Sequence, residues 1–219
     1  MDEPVKPGLR AEHAALTRTR ILDAARAEFE ERGFAGARIT GIATRAGVAV
    51  PTIYKVFTNK RKLLAYVVDR AMTGAEYGDR VEEQAWWLEQ LNERDPDRQL
   101  TLIARNARRI YGRAGRVLEV VRSAAALDPG IDEMWRRVKD QRMARARRTA
   151  TRLVSRAGKR ARFGIPETAV TLTALTAPEL YTVQVEVGRS PAQYERWLGA
   201  VLRASLLRGS DLVLGDERR

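Results

Sequence analysis

Residues 47–64 read GVAVPTIYKVFTNKRKLL and join two short helical patterns through a tight turn. Gly47 is the type of residue that ends a helix with positive φ, and Pro51, whose φ is fixed, suits the first turn of a new helix. The pattern therefore predicts a short helix over 39–46 and a second helix over 50–57. Two helices joined in this way form a helix-turn-helix, whose second helix keeps one face free.

Helical periodicity continues on both sides of this motif. Apolar residues recur at intervals of three and four over 17–32, and Gly33 follows where a helix end prefers a residue able to adopt positive φ. Asn59 is placed to cap a further helix. The apolar face of that helix consists of Leu63, Leu64, Val67, Val68 and Ala71. We therefore predict that the helix-turn-helix packs on a first helix and is followed by a fourth.

The rest of the chain shows the same periodicity, and no segment alternates as a strand would. Further helices are predicted at about 97–112, 115–127, 130–158, 166–188 and 191–208, separated by Pro or Gly. The predicted fold is all-α, with an N-terminal three-helix helix-turn-helix domain and a C-terminal helical domain. Its predicted parts are a flexible arm over 1–16, the helix-turn-helix domain over 17–65 and the second helical domain over 66–219.

The composition excludes several classes of site. The 219 residues carry 40 Lys+Arg against 28 Asp+Glu, a net charge of +12, which favours nucleic acid as partner ahead of an acidic membrane surface. Cysteine is absent and His13 is the single histidine, so neither a disulfide nor a metal site is expected. We find no cofactor motif and no nucleophile with a base, and predict that the protein is not an enzyme. Without a signal peptide or a spanning apolar run, it is expected in the cytoplasm.

The segment 17–64 also resembles the N-terminal DNA-binding domain of the tetracycline-repressor family of bacterial transcription regulators. The matching pieces are ILDAA, then F and GF within 29–34, IA and AGV within 42–48, TIY at 52–54, and F, NK and LL within 57–64. Their combination is specific, whereas a helix-turn-helix alone would not be. The resemblance covers about the first 65 residues of the chain.

The resemblance implies that the third helix enters the major groove of DNA. The residues placed to contact bases are Thr40, Val50, Pro51 and Thr52. The residues placed to contact phosphates are Arg38, Tyr54, Lys55 and Lys60. Many relatives have Thr or Ser near positions 37, 38 and 49, where this chain has Ala37, Arg38 and Ala49, so we expect Arg38 to meet phosphate through its charge. Taken singly, each of these residues also fits a packing or solvated role.

The resemblance further implies that 17–65 is a DNA-binding domain and that 66–219 is a regulatory domain for ligand binding and dimerisation. The protein is then a homodimer that binds an inverted repeat and a small molecule, here of unknown identity. The predicted dimer helices are 166–188 and 191–208, with the interface residues Leu180, Val183, Val187, Tyr194, Trp197, Leu198, Val201 and Leu202. The same stripe also fits an ordinary core face. The candidate cavity residues are Trp86, Trp87, Tyr111, Trp135 and Met143.

The segment 135–162 holds twelve Lys or Arg and one acid, Asp140. Three roles fit this pattern: a solvated helix face, an anionic ligand site, or a second nucleic-acid surface. Lys6 and Arg10 in the predicted arm fit either disorder or contact with DNA. The alternative to a specific regulator is a helical protein that coats DNA with little sequence choice and has no ligand.

Overall fold

Ten α-helices occur in residues 8–74 and 80–209, the part of the chain that this computed structural model describes. They are α1 (Leu9–Gly36), α2 (Ile39–Ala46), α3 (Val50–Phe57), α4 (Lys60–Thr73), α5 (Ala85–Asn92), α6 (Pro96–Ala125), α7 (Pro129–Ala157), α8 (Ile165–Leu175), α9 (Pro178–Glu186) and α10 (Pro191–Leu206). These residues contain no β-strand and one isolated bridge, between Ala161 and Leu207. The predicted all-α fold is confirmed.

Helix α1 begins earlier than the sequence predicts. It starts at Leu9, so the predicted flexible arm over 1–16 is helical from that residue onward. Residues 12–16 are exposed, and they carry no apolar face that would have marked a helix. The regular helix is interrupted at Gly33, where φ is 65°, close to its predicted end. Lys6 lies outside the described residues, and Arg10 falls in the first turn of α1.

Helices α2 and α3 have the predicted bounds, and their apolar side chains form part of a buried core. Gly47 ends α2 in the left-handed conformation, with φ 64° and ψ 43°. Asn59 caps α4 as predicted, because its Oδ1 accepts the backbone N–H of Lys62 at 2.9 Å. The most deeply buried side chains around the motif are Ile21, Phe29, Ile42, Ile53, Phe57, Leu63 and Leu64.

Two compact units make up the chain, and the first is discontinuous in sequence. Its described residues are 8–70 and 116–134, whereas the described residues 71–74, 80–115 and 135–209 form the second unit. The predicted division after residue 65 assigns 116–134 to the regulatory domain, which differs from this arrangement. In the first unit Val117 is fully buried and Asp128 pairs with Arg61 on α4 at 2.9 Å. The residues that make such contacts lie far apart along the chain, so no local sequence pattern predicts them.

Helix α6 is continuous where the sequence predicts two helices, 97–112 and 115–127. Two glycines suggested the break. A Cβ at Gly112 would lie 3.3 Å from the hydroxyl oxygen of Tyr181, and one at Gly115 would lie 3.8 Å from the ring of Tyr181. The glycines therefore make room for a tyrosine of α9 and do not end the helix.

The predicted helix over 166–188 is two helices, α8 and α9. Ala177 separates them in an extended conformation, with φ −67° and ψ 138°, because a residue before proline is disfavoured in the helical region. Pro178 then opens α9. Helix α5 was not predicted, since its eight residues are too few for a clear period.

Candidate nucleic-acid interface and ligand cavity

The outward face of α3 is formed by residues that the sequence predicts to meet DNA. Ile53 and Phe57 are each 1% exposed and seat the helix, whereas Tyr54 is 48% exposed. Of the other predicted contacts on α3, Pro51 and Lys55 are exposed, and Val50 and Thr52 are half-buried. Positions 51, 54 and 55 are three and four residues apart, so they share one side of the helix. That side is open to solvent.

Arg20 holds the turn that sets the direction of α3. Its guanidinium donates to the carbonyl oxygens of Ala46 and Gly47, the latter at 3.2 Å. The backbone N–H of Val48 donates to the carbonyl oxygen of Ala43 at 3.0 Å and completes the turn. Sequence reasoning missed Arg20, because its partners lie 26 and 27 residues away and no local pattern marks it.

A buried carboxylate, Glu28 on α1, supports the start of α2. It is 4% exposed and pairs with Arg32 at 3.2 Å and Arg45 at 3.7 Å. One of its oxygens accepts the backbone N–H of Arg38 at 3.4 Å. Since α2 has no side-chain cap, this acid near the helix N-terminus stabilises the end that lacks the usual Ser or Thr. The side chains of Arg38 and Thr40 are left exposed.

The link from α3 to α4 is a tight turn centred on Thr58. Its φ of 65° and ψ of −50°, with the N–H of Asn59 donating to the carbonyl oxygen of Phe57 at 2.6 Å, describe a γ-turn. Positive φ is uncommon for a β-branched residue, so this position is strained.

Lys60 is less available than the other predicted phosphate contacts. Its Nζ donates to the carbonyl oxygen of Ala35 at 3.4 Å and lies 4.7 Å from the centre of the Phe34 ring. Partial burial lowers the pKa of Lys60. The neighbouring Arg61 is paired with Asp128. Within the described residues, Arg38, Lys55 and Lys62 are exposed cations without an ion pair, and Lys62 is absent from the predicted contacts.

The second unit contains a cavity of about 90 Å³. Three of the residues that the sequence analysis names as cavity candidates, Trp86, Trp87 and Tyr111, line it. Trp135 and Met143, which were also predicted, are not part of its wall. Met143 contacts α8 instead, where its sulfur lies 3.8 Å from the hydroxyl of Thr173.

The cavity wall carries polar groups with fixed orientation. Asn106 donates from its amide nitrogen to the carbonyl oxygen of Trp86 at 3.2 Å and to Oε1 of Gln90 at 2.9 Å. The hydroxyl of Tyr111 donates to the carbonyl oxygen of Thr176 at 2.7 Å, and burial raises the pKa of Tyr111. The phenol is therefore neutral at physiological pH. Sequence reasoning missed Asn106 and Gln90, because a buried amide has no pattern of its own.

The arginine-rich segment is not a uniformly solvated face. Arg142 donates to the carbonyl oxygens of Thr173 and Thr176, and Arg145 pairs with Glu82 at 3.2 Å. The other anchored arginines are Arg156, which donates to the carbonyl oxygens of Leu91 and Glu93, and Arg160, which pairs with Asp97. Since Arg142 and Arg145 line the cavity, the segment forms part of the cavity wall.

The predicted dimer stripe contains three residues that a partner subunit cannot reach. Tyr194, Leu198 and Leu202 are fully buried, because they face the core of the second unit. A helix shows the same apolar period whether it faces a core or a partner, so the sequence could not separate the two roles. Of the remaining predicted residues, Val183 and Val187 are exposed, and Leu180, Trp197 and Val201 are half-buried.

Other kinds of site were sought in the same residues. Residues 8–74 and 80–209 contain no group of three or more His, Asp or Glu side chains placed to hold a metal ion. None of the helices described above is both long and apolar enough to cross a membrane.

Comparisons with known proteins match both parts of the chain. Residues 21–67 match the sequence profile of bacterial regulatory proteins of the tetR family. An HTH-type transcriptional repressor of Streptomyces coelicolor is 41% identical over 64 residues, which is 29% of this chain and 33% of the repressor. The aligned segment thus spans a third of that protein.

Solved structures extend the likeness to most of the chain at the level of fold. NalD, the secondary repressor of the MexAB-OprM multidrug efflux pump in Pseudomonas aeruginosa, has a TM-score of 0.69 and 21% identity, covering 90% of this chain and 99% of NalD. A Saccharomonospora viridis protein described as a transcriptional regulator, in complex with choline, has a TM-score of 0.66 and 20% identity. The match covers 87% of this chain and 97% of that protein. Residues 21–67 of this chain are thus similar to the tetR family of bacterial regulatory proteins, and the solved structures extend the likeness in fold to most of the chain.

Proposed function

We propose that the protein is a sequence-specific DNA-binding transcriptional regulator, a homodimeric repressor that a small molecule releases from an inverted-repeat operator. The observation that carries this proposal is the free side of α3. Ile53 and Phe57 fix the helix from below, while Pro51, Tyr54 and Lys55 face solvent. A regulator of this kind acts on DNA in the bacterial cytoplasm, and we place it there.

The two sets of residues around α3 are proposed to have different tasks. Thr40, Val50, Pro51 and Thr52 contact base edges, where hydroxyl and methyl groups distinguish base pairs. Arg38, Tyr54 and Lys55 contact phosphates and position the helix. We place Lys60 with them, with a weaker role, because the carbonyl of Ala35 already engages its ammonium.

A dimer explains why one short helix suffices for specific binding. Two α3 helices related by a two-fold axis meet successive major-groove faces when they are about 34 Å apart, so the operator is an inverted repeat. Two exposed valines, Val183 on α9 at 53% and Val187 directly after α9 at 71%, support an apolar contact between subunits. The aspartate variant Val183→Asp is expected to be monomeric in size exclusion with light scattering. Leu127→Asp, at an 85% exposed site in the first unit, should leave the mass of the dimer unchanged.

The cavity supports release by a ligand. It lies in the second unit, and the related fold from Saccharomonospora viridis was solved with choline, so the fold accommodates small molecules. A ligand that favours a conformation unsuited to DNA weakens operator binding by its difference in affinity for the two conformations.

Selection of bound fragments from random duplex DNA at physiological salt tests the regulator directly. We expect an inverted repeat bound at least ~10³-fold more tightly than random duplex at the same salt. If the selected fragments share no repeat, and their affinity is about equal to that of random duplex, specific regulation is refuted and a protein that coats DNA is favoured.

Variants of α3 separate the two tasks. Thr52→Ala is expected to relax the preference at one position of the repeat, at a cost of ~1–3 kcal/mol for the preferred base pair. Lys55→Gln is expected to weaken binding to all DNA sequences alike. It should also reduce, by ~1, the slope of the logarithm of the binding constant against the logarithm of the salt concentration. Lys139→Gln, at an exposed lysine of α7, is the matched control and should change neither. Equal effects of Lys55→Gln and Lys139→Gln would contradict the assignment of Lys55 to a phosphate.

A further inference from the structure

We propose that the cavity of the second unit binds a small organic anion, a carboxylate on a short apolar or single-ring body, with its charge toward Arg142. The proposal rests on the ligand-responsive part of the proposed function, because it names the chemical class of ligand which that part requires.

The size and walls of the cavity define the body of this ligand. Apolar contacts come from Met72, Val81, Ile103, Ile110 and Leu172, together with the rings of Trp86 and Trp87. A volume of about 90 Å³ is smaller than the ~150 Å³ of an apolar cavity that holds benzene. The body is therefore no larger than one ring or a short chain.

Arg142 is held in place without being neutralised. Its Nη2 donates to two carbonyl oxygens of α8, that of Thr173 at 2.9 Å and that of Thr176 at 3.1 Å. Carbonyl groups fix the guanidinium but carry no net charge. Within the described residues Arg142 has no carboxylate partner, and the further side-chain hydrogen bond that it makes, with Tyr111, is to a neutral phenol. A fork of donors with a full positive charge suits a carboxylate in a two-point contact.

The second arginine of the wall differs in this respect. Arg145 pairs with Glu82 at 3.2 Å, and both side chains are largely buried. None of the described residues lining the cavity is an aspartate or a glutamate. The described wall, with Glu82 counted, thus keeps an excess of one positive charge, which favours an anion over a neutral molecule or a cation.

Unpartnered polar atoms of the wall are a second, independent observation. Nε1 of Trp86 and Nε1 of Trp87 are buried donors without a hydrogen bond, and Oδ1 of Asn106 is a buried acceptor without one. A buried donor or acceptor that lacks a partner is costly, so such groups usually meet water or a ligand. Two donors and one acceptor match the oxygens of a carboxylate and one hydroxyl or N–H group on the ligand.

A matched series of probes tests the charge preference. Benzoate, benzamide and benzamidine share one ring and a planar head group, but carry charges of −1, 0 and +1. Hexanoate, hexanamide and hexylamine provide the same comparison on a flexible chain. Binding is measured by isothermal titration and tryptophan fluorescence on the DNA-free protein. We expect an anion to bind at least ~10-fold more tightly than its neutral counterpart, as for a charge-assisted contact. No preference for the anion in either series, including no binding by any probe, would overturn the proposal.

Variants of Arg142 test the assigned contact. Arg142→Gln is expected to reduce the affinity for the anion to that of the amide and to leave the amide affinity within about twofold, which also reports an intact cavity. Arg142→Lys should keep part of the preference, because it retains the charge but not the fork. Arg148→Gln, at an exposed position of the same helix, is the control. Unchanged anion binding by Arg142→Gln, or equal losses in Arg142→Gln and Arg148→Gln, would contradict the assignment.

The two proposals fail separately. If an inverted repeat is recovered but no anion is preferred, the ligand class is wrong and the regulator stands. If an anion is preferred but no repeat is recovered, the regulator is wrong and the anion site stands.

Discussion

Replacement of Gly41 by alanine is expected to destabilise the protein, although alanine is the better helix former. Gly41 lies within α2, where such a change ordinarily stabilises by ~0.8–1 kcal/mol. Here a Cβ would lie 2.9 Å from Oε1 of Glu28 and 3.2 Å from its Cδ. Glu28 is 4% exposed, so its carboxylate cannot move away without leaving its partners.

The expected magnitude follows from the contacts of that carboxylate. It pairs with Arg32 at 3.2 Å and with Arg45 at 3.7 Å, and it accepts the N–H of Arg38 at 3.4 Å. Loss of hydrogen bonding to a charged group costs ~1.5–3 kcal/mol, which exceeds the gain in helix propensity. The net destabilisation is therefore about 0.5–2 kcal/mol, or a melting temperature lower by about 1–8 °C.

Urea unfolding followed by circular dichroism measures this effect, and a double-mutant cycle assigns it. In a Glu28→Ala background the obstacle is gone, so Gly41→Ala should stabilise by ~1 kcal/mol. Gly36→Ala is the control, because its Cβ would meet only Cβ of Arg32 at 3.4 Å, and we expect a change within ~0.5 kcal/mol. A Gly41→Ala variant that is more stable than the wild type would refute the reasoning.

Three further predictions concern stability and its pH dependence. Tyr194→Phe should leave stability unchanged or raise it, because the buried hydroxyl has no partner, whereas Tyr111→Phe should cost ~1 kcal/mol through loss of its 2.7 Å bond; equal losses in urea unfolding would contradict this. The hydrogen bond from Arg61 lowers the pKa of Asp128. The stabilisation of the folded state by this pair is therefore present above the ordinary carboxyl range, and it is lost as pH falls through the lowered pKa. Asp128 also caps α7, because its Oδ1 accepts the N–H groups of Gly130 and Ile131. Asp128→Asn keeps this cap without the charge, so its stability difference from the wild type should shrink below about pH 4; a constant difference would disprove the linkage. Thr58→Gly should stabilise by ~0.5–1 kcal/mol, because relief of ~1–2 kcal/mol at positive φ exceeds the entropic cost of glycine, and a loss of stability would show that Thr58 is not strained.

The helix-turn-helix was predictable because its signals are local. Gly47, Pro51 and Asn59 each act on the backbone within a few residues, and each has the predicted role in the structure. The apolar positions Ile53 and Phe57 fix which side of α3 is buried, and the exposed side follows from them. The exposed side of α3 thus required no knowledge of the rest of the fold, and the resemblance to the tetracycline-repressor family assigned the expected DNA contacts to it.

Residues that act through distant partners could not be predicted in this way. Arg20 and Glu28 lie on α1, yet they hold the turn at Gly47 and the start of α2. In the local sequence of α1, neither residue can be distinguished from a charged residue that faces solvent. Tyr194 illustrates the converse case, because an apolar stripe suggested a partner subunit, whereas the structure places this residue in the core.

The arginine-rich segment shows most clearly what a fold adds to a sequence. Arg142 and Arg145 stand three residues apart and are indistinguishable by composition, and both line the cavity. Glu82 neutralises Arg145, but Arg142 is held by carbonyl oxygens 31 and 34 residues away, which orient a guanidinium without cancelling its charge. The positive charge of the described wall is therefore concentrated on one side chain. For this reason the sequence leaves a solvated face, an anion site and a nucleic-acid surface open, whereas the contacts of Arg142 favour the anion site.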